Sequence, residues 1–166
     1  MAQSYTANYL AYANQIYPSD TIVVSTKYKN GVQKTLGKRV VYEHGDYVYE
    51  YPIGEWVEYY KNGQLWTETT YDRFGNMISW RSFDKLNGNP LYEYEALNID
   101  TKASNLDEFL NPKKYFLIWS NDKIYRFSFK LCKNYLYSEG KKLNYKKIGD
   151  WTLYSPNGEI KKVKSY

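Results

Sequence analysis

Ile53-Gly54-Glu55-Trp56-Val57-Glu58-Tyr59-Tyr60-Lys61-Asn62-Gly63-Gln64-Leu65 is matched further along the chain by Ile148-Gly149-Asp150-Trp151-Thr152-Leu153-Tyr154-Ser155-Pro156-Asn157-Gly158-Glu159-Ile160. Glycine, an acid, tryptophan, tyrosine, Asn-Gly and an aliphatic residue recur at identical offsets, which chance composition explains poorly. Trp56 and Tyr59, like Trp151 and Tyr154, read as strand residues. Asn62-Gly63 and Asn157-Gly158 read as the two positive-φ positions of a tight type I′ turn, so each stretch is expected to be a β-hairpin. The leading Gly54 and Gly149 allow a bend or a close backbone approach where one hairpin hands over to the next.

Weaker copies are visible around Tyr28-Lys29-Asn30-Gly31 and at Trp80-Arg81-Ser82-Phe83 followed by Asn87-Gly88. Tyr71-Asp72-Arg73-Phe74-Gly75-Asn76 reads as a turn between two units. In the Trp80 copy Ile78 stands where the leading glycine belongs, and Asn87-Gly88 comes one residue late. Upstream, β-branched residues from Thr21 to Tyr28 form a strand candidate, with Val32 to Val41 as its return and His44-Gly45-Asp46 as the next turn. Tyr47 to Tyr51 reads as a strand ending before Pro52. Tyr5, Tyr9, Leu10, Tyr12, Ala13, Ile16 and Tyr17 place one apolar stripe on a short helix stopped by Pro18.

Downstream, Asn98 to Lys114 breaks the rhythm, with one helical turn expected at Asp107-Glu108-Phe109-Leu110 before Pro112. Strands are expected again at Tyr115 to Trp119, after a turn at Asn121-Asp122 from Ile124 to Leu131, and then at Tyr135 to Tyr137 and Lys142 to Lys147. Lys161 to Tyr166 is the return of the last hairpin. The organisation is therefore an N-terminal helical or extended segment (1–20), hairpin repeats (21–97), an insertion or loop (98–114) and C-terminal hairpins (115–166). The fold class is all-β: an antiparallel hairpin-repeat sheet with a short N-terminal helix and a small insertion.

Composition agrees. A chain of 166 residues supports one ordinary domain, and 43% hydrophobic with 19% aromatic residues is the composition of an ordered chain. Its 21 tyrosines suit a pleated surface that is half buried and half wet. The net charge of +5 is unevenly spread, mildly acidic before residue 100 and basic after it. Lysines on exposed strand faces also keep a sheet soluble and block edge pairing, and this is the preferred reading of the basic end.

The pattern Gly-acid-Trp-x-x-Tyr, then Asn-Gly and an aliphatic residue, resembles the variant MORN repeat, a β-hairpin module of bacterial proteins often labelled YwqK-type antitoxins. The resemblance covers residues 53–88 and 148–166, extends to 23–41 and is absent from the insertion. It implies a stack of hairpins in which Gly54, Trp56, Asn62, Gly63, Gly149, Trp151, Tyr154, Asn157 and Gly158 are architectural. It implies little chemistry.

Candidate chemistry is sparse. His44 is the single histidine and Cys132 the single cysteine, so neither a histidine metal cluster nor a Cys-based zinc site can be assembled, and no metal or cofactor is expected. Cys132 is expected to be a buried structural thiol. A Cys132–His44 nucleophile pair is disfavoured because Cys132 sits among alternating strand residues, His44 sits beside Gly45 in a turn, and no neighbouring oxyanion motif occurs. Walker and dinucleotide fingerprints are missing. Lys141-Lys142, Lys146-Lys147 and Lys161-Lys162 interleave with Tyr145, Trp151, Tyr154 and Tyr166, a pattern that could serve single-stranded nucleic acid, but these aromatics belong to the repeat and nucleic acid is not the expected partner. No apolar run is long enough to span a membrane. Met1-Ala2-Gln3-Ser4 leads into a polar segment, so a cytoplasmic location is expected, with a secreted or virion-associated one open if a leader has been removed or the source is viral.

The sharpest charge feature is acidic. Glu43, Asp46, Glu50, Glu55 and Glu58 occur without a lysine or arginine from Val40 to Tyr60. With Tyr47, Tyr49, Tyr51, Tyr59, Trp66 and Trp80, the acids Glu50, Glu55 and Glu58 form the candidate binding set. The expected function is a non-catalytic protein-interaction module, with the family resemblance pointing to an antitoxin or immunity-like role. A self-assembling structural subunit of a virion or cell surface is one alternative. A carbohydrate-binding or carbohydrate-cleaving protein using paired carboxylates between aromatic rings is the other.

Overall fold

The computed structural model describes residues 4–166, apart from the side chain of Lys113; Met1–Gln3, part of the start on which the location was read, lie outside it. The strands are β1 (Ser4–Tyr5), β2 (Asp20–Lys27), β3 (Gln33–His44), β4 (Tyr47–Tyr59), β5 (Leu65–Tyr71), β6 (Met77–Phe83), β7 (Pro90–Thr101), β8 (Phe116–Ser128), β9 (Lys133–Leu143), β10 (Lys146–Tyr154) and β11 (Ile160–Ser165). Helix α1 (Ala7–Ala13) follows β1, and α2 (Leu106–Phe109) and α3 (Pro112–Tyr115) lie between β7 and β8. Strands β2 to β11 pair with their chain neighbours throughout, all antiparallel, and β1 adds to β7 in parallel. The fold is an all-β meander with a short N-terminal helix.

The Asn-Gly turns form by a different geometry from the one expected. In the first copy Gly63 N donates to Tyr60 O (2.9 Å) and Tyr60 N to Gln64 O (2.8 Å), and only Gly63 has positive φ (87°). This is a three-residue loop, a type I turn closed by a left-handed glycine, rather than a two-residue type I′ turn. The same two bonds close Tyr28–Val32, Asp72–Asn76 and Ser155–Glu159. The type I′ geometry occurs instead at Asn144-Tyr145 between β9 and β10, where both residues have positive φ (46° and 66°).

Three further expectations are corrected. Strand β8 runs straight through Asn121-Asp122, because Asp122 pairs with Tyr94 on one side and Gly140 on the other and is buried there. Strand β4 continues through Pro52, which pairs with Arg39 of β3. Pro52 lies beyond the last β5 partner, Gly54, so its missing N–H leaves no ladder bond on that side unmade. Cys132 is exposed, in the β8–β9 turn with φ 48°, and is no core thiol.

The core lies where long strands overhang short ones. β5 and β6 are 7 residues each, whereas β3, β4, β7 and β8 have 12 or 13. The β5–β6 turn therefore sits between two projecting hairpins, and α1 and α2 fill the space. Tyr9 of α1 packs edge-on against Phe74, Phe109 and Phe116, and Tyr42 stacks on Phe74 at 5.2 Å. Polar tips are satisfied: Tyr9 Oη donates to Asp72 (2.7 Å), Tyr42 Oη to Arg73 O (2.7 Å) and Tyr51 Oη to Leu110 O. Thr6 caps α1 by accepting from Tyr9 N (3.1 Å), and β1 occupies the side of β7 that β6 no longer reaches.

Candidate functional site

One row of cross-strand partners joins the two repeat copies. Trp56, Thr69, Trp80, Tyr94, Asp122, Gly140, Trp151 and Lys164 are successive direct partners from β4 to β11, so all point to one face. At each end a tryptophan ring lies flat on a glycine of the preceding strand. A Cβ on Gly37 would meet the Trp56 ring at 2.3 Å, and one on Gly140 would meet Trp151 at 2.6 Å. The indole N–H donates to Lys38 O in the first copy and to Lys141 O in the second, both at 2.9 Å. Gly54 and Gly149, with φ 62° and 59°, form the bulge that turns each tryptophan onto its glycine.

Asn62 and its neighbour Tyr60 join adjacent turns. Tyr28 Oη donates to Tyr59 O and Tyr60 Oη to Phe83 O, each at 2.8 Å, while Asn30 and Asn62 amides reach Lys61 O and Lys85 O. Tyr154 is tied differently, its hydroxyl donating to Glu139 Oε1 at 2.5 Å. Asn157 and Gly158 stand in the terminal turn, whose Ser155 replaces the tyrosine.

Midway along the row is a polar cluster that the sequence reading missed. Asp122 is fully buried; Lys142 Nζ lies 2.7 Å from its Oδ2, Ser120 Oγ donates to its Oδ1 at 2.6 Å, and Tyr92 Oη donates to Oδ2. Lys142 also donates to Tyr92 Oη (2.6 Å) and lies against the rings of Tyr92 and Trp151. Burial pushes the Asp122 carboxyl above its ordinary range, and the Lys142 ammonium pulls it back. Both carboxylate oxygens are occupied by protein donors, so the arrangement braces the sheet beneath Trp151 instead of offering a vacant acid or base.

The candidate binding residues do not form one cluster. Trp80 packs beside Tyr92 (ring centroids 5.0 Å) on the face of Trp56, and Glu58 on that face accepts from Thr67 Oγ1 at 3.0 Å. Glu55 points to the opposite face, since side chains alternate along β4 from Gly54 to Glu58, while Trp66 lies where the β4–β5 register shifts and has no direct partner on β4. Glu55 and Glu58 therefore cannot flank one sugar ring. Tyr59 provides the carbonyl for Tyr28, and Trp66 leans on Tyr60 with its outer face open. His44 ends β3 and Cys132 lies in the β8–β9 turn, at opposite ends of the strands, and His44 Nε2 is instead 3.3 Å from Asp107.

Tyr47, Tyr49, Glu50 and Tyr51 lie on an extension peculiar to the first copy. Nineteen residues separate Gly37 from Trp56 and eleven separate Gly140 from Trp151, a difference of eight. The extra residues, four per strand, lengthen the β3–β4 hairpin. Tyr51 and Tyr49 form a ladder with Tyr47, ring to ring at 6.5 and 6.3 Å, running from the core to the tip. At the tip Tyr47 and Val48 are 67% and 65% exposed, beside exposed Glu43, Asp46 and Glu50. Among the described residues Glu50 is the one of these acids in an ion pair, with Arg39 at 3.5 Å.

Among the described residues no group of three or more His, Cys, Asp or Glu is placed to hold a metal ion, and no helix is long and apolar enough to cross a membrane. Comparison with models of known protein families finds no match, and comparison with curated proteins finds none.

Proposed function

We propose that the protein is a non-catalytic protein-interaction module that binds through the tip of its β3–β4 hairpin. The observation that carries this reading is the eight-residue extension. Its inner residues, such as Tyr42 and Tyr51, serve the core, while its end displays Tyr47 and Val48 among Glu43, Asp46 and Glu50. An exposed aromatic and an aliphatic side chain ringed by acids fit a partner with an apolar pocket and a basic rim. The resemblance to variant MORN proteins makes an immunity-like role, the covering of a basic toxin surface, the form this binding would take.

The test is affinity capture from the source cells with the intact protein, beside Tyr47→Ala/Val48→Ser and Glu43→Lys/Glu50→Lys variants whose melting has been checked. A partner recovered by the parent and lost from both variants at unchanged melting temperature supports the reading. Equal recovery from all three, or no partner, rejects it.

A further inference from the structure

Among the described residues the meander has two edge strands of unlike character, β11 and β2. β11 carries Lys161, Lys162 and Lys164. By strand pairing Lys162 and Lys164 stand where the first copy has Thr67 and Thr69, which β6 helps to bury. Lysines at those positions guard an edge. β2, at the other end, has no such guard: Thr21-Ile22-Val23-Val24-Ser25-Thr26 contains no charge, proline or glycine, and Val23 is 68% exposed. Among the described residues only β3 pairs with β2.

We propose that β2 is the interface of a two-fold dimer, in which the β2 strands of two copies pair antiparallel and join their sheets. This inference is independent of binding at the β3–β4 tip, which lies at one end of the strands and on another hairpin. Self-complementarity selects the occupant. A two-fold axis normal to the sheet keeps each face on its own side, so residues of like parity must pair. With the axis at Val23, the most exposed aliphatic residue of the strand, Val23 meets its own copy, Ile22 meets Val24, Thr21 meets Ser25 and Asp20 meets Thr26. No like charges oppose, and Asp20 of each strand ends beside the Lys27 end of the other. In β11 any register centred between residues 161 and 164 sets a lysine against a lysine. Pairing of β11 with β2 would bring its three lysines to a strand whose one acid is Asp20.

The test is sedimentation equilibrium of the intact protein over a wide concentration range, with Val23→Lys, Val23→Glu and Val163→Lys variants confirmed as folded by circular dichroism. The parent and Val163→Lys are expected to dimerise alike. Val23→Lys and Val23→Glu each place like charges across the axis and are expected to dimerise at least about tenfold more weakly, while their mixture forms a heterodimer. A parent that stays monomeric throughout, a Val23→Lys variant that associates like the parent, or association lost only in Val163→Lys overturns the proposal.

Discussion

The hairpins around Trp56 and Trp151 share a bulged glycine, a tryptophan laid on a glycine and one indole hydrogen bond, yet differ in what surrounds that unit. Trp56 is half-buried, and its hairpin runs eight residues further to feed the core and present a tip. Trp151 is fully buried, its hairpin is short, and the strands beneath it hold the Asp122–Lys142 pair. The unit itself is thus scaffold, and each copy's individuality lies in what was added: length in the first, a braced polar cluster in the second. A binding surface is better sought in the additions than in the repeated residues.

The comparison is most severely tested by removing each indole. Trp151→Ala empties a closed site and is expected to destabilise by about 3–5 kcal/mol, whereas Trp56→Ala, losing a ring already half in water, should lose roughly half as much. Denaturant titration measures both. Equal losses would mean that the two environments are equivalent.

Breaking the brace comes next. Asp122→Ala leaves Lys142 partly buried without its counter-charge and is expected to destabilise by about 3 kcal/mol, while Asp122→Leu combined with Lys142→Met should recover much of that. Failure of the double variant to recover would show that the pair does more than satisfy its own burial.

Adding a single methyl is a finer probe. Gly140→Ala must displace a fully buried ring and should destabilise by about 2 kcal/mol, against about 1 kcal/mol for Gly37→Ala, where the half-exposed Trp56 can tilt away. Thermal melts of the two variants decide the order.

The gentlest probe is alkali. Burial raises the hydroxyl pKa of Tyr42 to about 12, and also raises that of Tyr51, both in the extended copy. Their folded values exceed the unfolded value of 10.0, so their contribution is complete below that pH and is lost as pH rises above it. Tyrosinate absorbance should therefore show a late class, containing Tyr42 and Tyr51 of the extension, that ionises only as the core opens. A single class titrating without loss of structure would contradict the packing described.

The repeat, its hairpins and the N-terminal helix were legible because each is written in contiguous residues. The tryptophan's partners were not, since Gly37 and Gly140 lie nineteen and eleven residues upstream and a glycine without a turn carries no local signal. The repeat in fact reaches back to Gly37-Lys38-Arg39 and Gly140-Lys141-Lys142, a match that would have revealed both. Asn121-Asp122 imitates a turn, and the distant Lys142 and Tyr92, together with the nearby Ser120, hold its aspartate in a strand. Asn-Gly correctly marked hairpins but not their type, because hydrogen bonding closes the loop one residue earlier, at Tyr60 and Ser155. The acidic run looked like one site because it is continuous in sequence, yet strand alternation divides Glu55 from Glu58 and the extension carries Glu50 away.

The central claim, that both copies are one structural unit, is tested most directly by hydrogen exchange of the five indole N–H groups, resolved by nuclear magnetic resonance. Trp56 and Trp151 are expected to exchange slowest, because both indoles are bonded to a strand carbonyl even though only one ring is fully buried. Trp56 exchanging as fast as the open Trp66 would contradict the account.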